Sequence, residues 1–274
     1  VEVTAGELKE SMLNLNVGYL RLNSVSKEGG KPVTEDMHWK VYKAEKDING
    51  KREKIDFSTA PEPLFKLSAG RYFIYAEHGK AASSMEVEVT AGELKESMLN
   101  LNVGYLRLHA VLKEGGELVT EDIRWEVYKA EKDINGNREQ VTYGGAESLF
   151  KLSAGRYFIY TEHGKAASSM EVEVTAGELK ESTLNLNAGY LRLHAVLKEG
   201  GELVTEDIRW EVYKAEKDIN GNREQVTYGG AESLFKLSAG RYYIVAEYGN
   251  DNVTSSMEVE VTAGELKETT MNFS

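Results

Sequence analysis

Leu152-Ser153-Ala154-Gly155-Arg156-Tyr157-Phe158-Ile159-Tyr160 decides the fold, because the chain carries it three times, again at Leu67–Tyr75 and, slightly altered, at Leu237–Val245. A small-residue turn hands a tyrosine to a strand whose alternate residues face inward. This is the pattern of a tyrosine corner in a β-sandwich, where the phenol bonds back to upstream backbone. Outward from it, Val-Glu-Val-Thr-Ala-Gly-Glu-Leu-Lys-Glu begins at Val1, Val87, Val172 and Val259, at spacings of 86, 85 and 87 residues. A fixed period of this length means one module copied in tandem. The expected modules are 17–102, 103–187 and 188–274, and residues 1–16 are closing strands without a body of their own.

Period-2 alternation places the strands within a copy. Leu106 and Leu108 share a face, as do Ile123, Trp125 and Val127, then Tyr157 and Ile159, and finally Leu184 and Leu186. Asp133-Ile134-Asn135-Gly136-Asn137 reads as a hairpin whose Asn-Gly supplies positive φ. The copies differ in length at Asp56–Pro61 against Thr142–Ala146, and at Tyr248–Thr254 against His163–Ala167, which are taken as loops. Short strands with turns every 8–12 residues and no helical period predict an all-β chain of three immunoglobulin-like or transthyretin-like sandwiches. No Pro- or Ser-rich linker separates the copies at Leu101–Tyr105, so neighbours are expected to abut, making an elongated rod on the order of 100 Å. Structural weight falls on Trp39, Trp125 and Trp210 and on the corner tyrosines Tyr72, Tyr157 and Tyr242.

A net charge of −12 disfavours a basic face for nucleic acid or anionic lipid, and no apolar run is long enough for direct membrane insertion. With no cysteine there is no thiol catalysis, zinc–thiolate site or disulfide. The chain opens inside a strand pattern with no signal peptide, as a mature or excised segment would.

The candidate chemistry is sparse. Asp133, Asn135, Asn137 and Glu139 set oxygens at alternate positions, as calcium loops do, although a plain Asn-Gly hairpin has the same composition. Glu121-Asp122, with Glu35-Asp36 and Glu206-Asp207, offers acidic turns that could share calcium at a module end. His38, His78, His109, His163 and His194 show no ligand-pair spacing and read as solvated strand-face residues. Tyr42, Tyr75, Tyr128, Tyr160 and Tyr213 point outward and could stack a sugar, or simply serve cross-strand packing. Asn252-Val253-Thr254 and Asn272-Phe273-Ser274 fit the glycosylation acceptor pattern. No nucleophile–base or carboxylate pair emerges, so no enzyme activity and no cofactor beyond calcium is expected.

Gly104-Tyr105-Leu106-Arg107-Leu108, Trp125-Glu126-Val127-Tyr128, the corner stretch and Val172–Glu178 resemble the carboxypeptidase-regulatory-like, or transthyretin-like, repeats of bacterial surface and secreted proteins. Lys132–Glu139 resembles repeats that accompany von Willebrand A-type domains. The resemblance implies a non-enzymatic spacer, adhesive stalk or assembly unit, extracellular or on the cell surface, or periplasmic. Its partners would be neighbouring repeats, identical chains, or a surface protein or glycan. Similar Gram-positive pilin repeats carry a Lys–Asn crosslink, but here Ala110 stands near the reactive lysine's place and Lys113 lies in a turn, so that bond is not carried over. Two alternatives stay open: a filament subunit joined head to tail by strand donation through residues 1–16, and a carbohydrate-binding accessory module.

Overall fold

The structure, a computed structural model, describes residues 8, 10, 12–249 and 253–273. No helix occurs among them. The first module has strands β1 (Val17–Val25), β2 (Met37–Lys46), β3 (Arg52–Ser58), β4 (Leu64–Ser68), β5 (Gly70–His78), β6 (Ala81–Val89) and β7 (Leu94–Asn100). The second has β8 (Val103–Val111), β9 (Arg124–Lys132), β10 (Arg138–Gly145), β11 (Leu149–Ser153), β12 (Gly155–His163), β13 (Ala166–Val174) and β14 (Leu179–Asn185). The third has β15 (Ala188–Val196), β16 (Ile208–Lys217), β17 (Arg223–Gly229), β18 (Leu234–Ser238), β19 (Gly240–Tyr248), β20 (Val253–Val261) and β21 (Leu266–Asn272).

Six sheets result, in three pairs: a three-stranded sheet of order β4-β1-β7 with a four-stranded one of order β3-β2-β5-β6, and the same orders repeated in the second and third sets. The chain is thus an all-β series of sandwiches. Within a three-stranded sheet the first and last strands of a module lie side by side and parallel, Tyr19 opposite Leu94 through to Val25 opposite Asn100. The third module repeats this from Tyr190 opposite Leu266 to Val196 opposite Asn272.

By compactness the described residues form two units, Val1–Leu106 with Phe150–Gly155 and Val174–Lys180, and Arg107–Leu149 with Arg156–Glu173 and Glu181–Ser274. In the first, Leu20 and Leu22 of β1 and Phe65 and Leu67 of β4 pack with Trp39 and Val41 of β2 and Ile74 and Ala76 of β5. That is one core between two sheets, built from the inward half of each alternating strand. In the second, Leu191 and Leu193, Phe235, Trp210, Val212 and Ile244 repeat it.

Gly18, Gly104 and Gly189 each lie close against backbone that follows the module's sixth strand. A Cβ on Gly18 would sit 2.1 Å from the Thr90 carbonyl oxygen, one on Gly104 2.4 Å from that of Thr175, and one on Gly189 2.2 Å from that of Thr262. Backbone cannot swing aside as a side-chain tip can. Gly104→Ala is therefore expected to cost about 1–3 kcal/mol through overpacking, read as an earlier midpoint in urea. An unchanged midpoint would show that the sheets can part there without strain.

Two local expectations need correcting. Asp56-Phe57-Ser58 and Thr142–Gly145 are not loop but strand, since Phe57 pairs with Lys40 and Tyr143 with Glu126. The length difference falls just beyond them. In the Asn-Gly hairpins the glycines Gly50, Gly136 and Gly221 take positive φ, at 76°, 84° and 85°, and the preceding asparagines do not. Gly136 N–H donates to the Asp133 carbonyl at 3.0 Å and Asp133 N–H to that of Asn137 at 2.8 Å, a type I turn closed by a glycine bulge.

Candidate functional site: the meeting of successive modules

No helix among the described residues is long and apolar enough to cross a membrane, and no group of three or more metal-ligating side chains converges there. What the fold builds with most care is the place where one module ends and the next begins. The first such place lies wholly within the first compact unit and the second within the second.

The chain crosses without slack. Asn102 and Asn187 take left-handed φ of 51° and 47°. Asn102 N–H donates to its own strand's Asn100 Oδ1 at 3.0 Å, while Val103 N–H donates back to the Ser26 carbonyl at 3.0 Å. Forward, the Asn102 carbonyl accepts from Ala154 N–H at 2.8 Å. At the second crossing Ala188 N–H donates to Leu112 at 3.0 Å and Ala239 N–H to Asn187 at 2.7 Å. Asparagine suits these positions because it tolerates left-handed backbone and its side chain can bond locally.

Around the crossing a second set of contacts forms. The Lys151 ammonium bonds the Asp36 carboxylate, and Lys236 bonds Asp122 at 2.5 Å. Each ion pair holds its aspartate below the usual carboxylate range, first through the hydrogen bond and then through the lysine charge. Lys80 N–H donates to the Lys151 carbonyl at 2.9 Å and Lys165 N–H to the Lys236 carbonyl at 2.8 Å. Gly79 and Gly164, with φ of 63° and 64°, press so close that a Cβ would come within 2.5 and 2.4 Å of the Lys151 and Lys236 Cβ atoms.

His78 and His163 complete the arrangement, each only 2% exposed. His78 Nδ1 faces the Asp36 carbonyl and Nε2 the Tyr105 hydroxyl, both at 3.4 Å. For His163 the partners are the Asp122 carbonyl at 3.4 Å and the Tyr190 hydroxyl at 3.1 Å. The rings meet the tyrosines edge-on, at centroid distances of 6.0 and 5.9 Å. Burial, then the nearby lysine charge, pushes both imidazoles below their ordinary value. Burial also pushes the Tyr105 phenol up, so it stays a donor. The reading of these two histidines as solvated strand-face residues is overturned: inward parity on β5 and β12 and the neighbouring tyrosine bury them. His38 is exposed and His109 and His194 are half-buried.

The third module departs from the pattern at the equivalent end. Tyr248 stands in the histidine position and packs at 5.9 Å from Phe273, and a Cβ on Gly249, whose φ is 66°, would meet nothing within 4 Å among the described residues. At the opposite end of the first module, Tyr19 is 39% exposed and Lys66 is exposed, where Tyr105, Tyr190, Lys151 and Lys236 are half-buried.

The remaining candidates are placed as follows. Trp39, Trp125 and Trp210 are each 1% exposed, and their indole Nε1 atoms have no hydrogen-bond partner among the described residues. The Tyr72 hydroxyl donates to the Ser68 carbonyl and that of Tyr242 to Ser238, both at 2.8 Å, while Tyr157 is buried, which pushes its phenol up. Asp133 Oδ1 accepts from Asn135 and Asn137 N–H, each at 2.8 Å, and Glu139 instead pairs with Lys129 at 2.7 Å. The four calcium candidates are thus split between turn backbone and a lysine. At Asp36 and Asp122 an ammonium takes the place a cation would need.

The outward tyrosines pair with carboxylates two residues along the same strand: Tyr75 with Glu77 at 3.1 Å, and Tyr128 with Glu126, Tyr160 with Glu162 and Tyr213 with Glu211, each at 2.5 Å. The Glu162 bond, with burial, pushes the Tyr160 phenol up to about 12. Tyr42 lies 6.4 Å from Phe73, whose face the Arg52 guanidinium covers at 4.2 Å. Asn252 and Ser274 lie outside the described residues, so neither glycosylation pattern is described whole.

No known family's sequence pattern matches the chain, and no curated protein does. Among solved structures it is similar to the Bacillus anthracis TIE protein, at 17% identity over 94% of this chain and 51% of that one, with a TM-score of 0.27. It is also similar to a streptococcal ancillary pilin, at 12% identity over 93% of this chain and 98% of that one, with a TM-score of 0.34. A third is BcpA, the major pilin subunit of Bacillus cereus, at 10% identity over 93% and 99% of the two chains, with a TM-score of 0.26. The chain spans about half the length of the TIE protein structure.

Proposed function

We propose that this chain is a non-enzymatic spacer or stalk segment of a bacterial extracellular or cell-surface protein, its modules numbered 17–102, 103–187 and 188–274. One observation carries the reading: the same contacts, ion pair, backbone bond, close glycine and buried His–Tyr pair, are built at both crossings. A linker would need none of them. Successive modules held at a set angle are what a spacer requires, and an acidic net charge of −12 keeps such a segment from adhering to like surfaces. Small-angle scattering of the full chain is the test. The expected result is one elongated particle whose profile fits a single arrangement of modules. A profile that needs freely jointed beads, or a compact ball, would remove the proposal.

A second reading, a filament subunit, draws on residues 8–16. Residues 8–14 repeat β7 letter for letter. Yet Leu8, Met12, Leu13 and Leu15 are 70–99% exposed, whereas Leu99 and Leu101 are 4% and 1% exposed. A segment with a strand's sequence and unburied leucines suits addition to another copy's sheet. Residues 1–7, 9 and 11, which belong to the same expectation, lie outside the described residues. Under this reading the full chain should form concentration-dependent oligomers in sedimentation, and deletion of residues 1–16 should leave only monomer. Monomer from both proteins would leave the spacer alone.

A further inference from the structure

We infer that His78 and His163 make the two module junctions pH-sensitive, locked near neutrality and loosened by mild acid. At the first junction a carbonyl oxygen can only accept, so the Nδ1 facing the Asp36 carbonyl carries the proton. In a neutral ring Nε2 is then the acceptor, and the Tyr105 hydroxyl fills it. The network is complete with an uncharged imidazole. A second proton on Nε2 would point at the hydroxyl hydrogen, and the phenol would have to turn.

The backbone of Glu35 and Asp36 and the Asp36 carboxylate favour an added charge, but burial and the Lys151 ammonium outweigh them. The groups facing His78 are the backbone of Glu35 and Asp36, the Asp36 carboxylate, the Lys151 ammonium and the Tyr105 phenol. Only Asp36 is negative, and Lys151 already bonds it. His163 sits in the same way among Asp122, Lys236 and Tyr190. At 2% exposure, water cannot solvate an imidazolium in either place.

The undocked ring is freer to bind a proton. Its pKa would stand near the ordinary value of roughly 6.5, and the docked value lies below that. In that window the undocked state binds more protons, so docking gains strength as pH rises and loses it as pH falls. The loss is at most about tenfold in the docking equilibrium per pH unit at each junction. The ion pairs do not share this window, because Asp36 and Asp122 are held below the usual carboxylate range. The third module carries Tyr248 at this position, with no imidazole to titrate. The device is independent of whether the chain is a spacer or a filament unit.

Because the chain has no cysteine, labels can be placed at will. Ile48 at a hairpin tip and Glu178 in the turn after β13 are exposed, lie in the same compact unit and flank the first junction, so spin labels on I48C/E178C report it. The distance distribution is expected to be narrow at pH 7.5 and broad at pH 5, while circular dichroism stays that of folded sheet. His78→Gln keeps a neutral donor and acceptor and should stay narrow at both pH values. A wild-type distribution that does not change, or one that broadens equally in His78→Gln, overturns the inference. If His78→Gln is broad throughout, NMR titration decides. The His78 ring should titrate at lower pH in the wild-type chain than in Gly79→Val, whose added side chain wedges the junction open, and equal midpoints overturn the inference. I134C/I219C with His163→Gln repeats the experiment at the second junction.

Discussion

Trp125→Ala is expected to remove about 3–5 kcal/mol from the stability of the middle module. The indole is 1% exposed, and Val127 and Ile159 are wholly buried, so little remains mobile enough to fill the space. A domain of this size has on the order of 5–10 kcal/mol in all. The variant should melt in urea as two transitions, with the middle module lost first. The buried Nε1 has no partner among the described residues, so part of the indole's contribution is offset by an unsatisfied donor. Trp125→Phe should therefore cost less, about 1–2 kcal/mol. Ile134→Ala, at a hairpin tip, should stay within about 0.5 kcal/mol and serves as the control. A loss below about 1 kcal/mol in Trp125→Ala would mean that the tryptophan is not held in a packed core.

The second large effect is a difference between equivalent glycines. Gly79, Gly164 and Gly249 share nearly the same φ, at 63°, 64° and 66°, so alanine brings the same backbone strain of about 1 kcal/mol to each. Only at Gly79 and Gly164 would the new methyl strike the Cβ and carbonyl of a lysine in the next module. Gly79→Ala and Gly164→Ala should therefore cost about 1–3 kcal/mol more than Gly249→Ala, or uncouple the modules if these yield first. Thermal melts distinguish the two outcomes: a lower single transition for the first, separate transitions for the second. Equal behaviour of all three variants would show that the approach at the junction is not tight.

Strand positions were legible because each reports on itself. Ile123, Trp125 and Val127 alternate cleanly, and the structure buries all three to 7% exposure or less. Edge strands were harder. Along Arg52–Ser58, Ile55 and Phe57 alternate with polar residues yet stay exposed, so the pattern marks no buried face, and pairing with β2 is what carries the strand on to Ser58.

The junction was least legible. Lys151 and Asp36 stand 115 residues apart, and nothing local to either announces the other. One signal was nevertheless present. Tyr72, Ile74, Ala76 and His78 share one parity on β5, so the histidine continues the inward row past the point where the module's own core stops. Tyr105 lies on the outward parity of β8 and is half-buried all the same. Read together, those two parities require a neighbour.

The parallel pairing of first and last strands has a mechanical consequence. Tension enters a module at the start of β1 and leaves at the end of β7, which lie at opposite ends of one ladder registered over Tyr19–Val25 and Leu94–Asn100. A pull along the chain slides these strands past each other, so every rung is loaded at once. The same atoms paired antiparallel would unzip one rung at a time under far smaller force. The first and third sandwiches are therefore wired as shear clamps, strongest along the line that joins the start of the first strand to the end of the last.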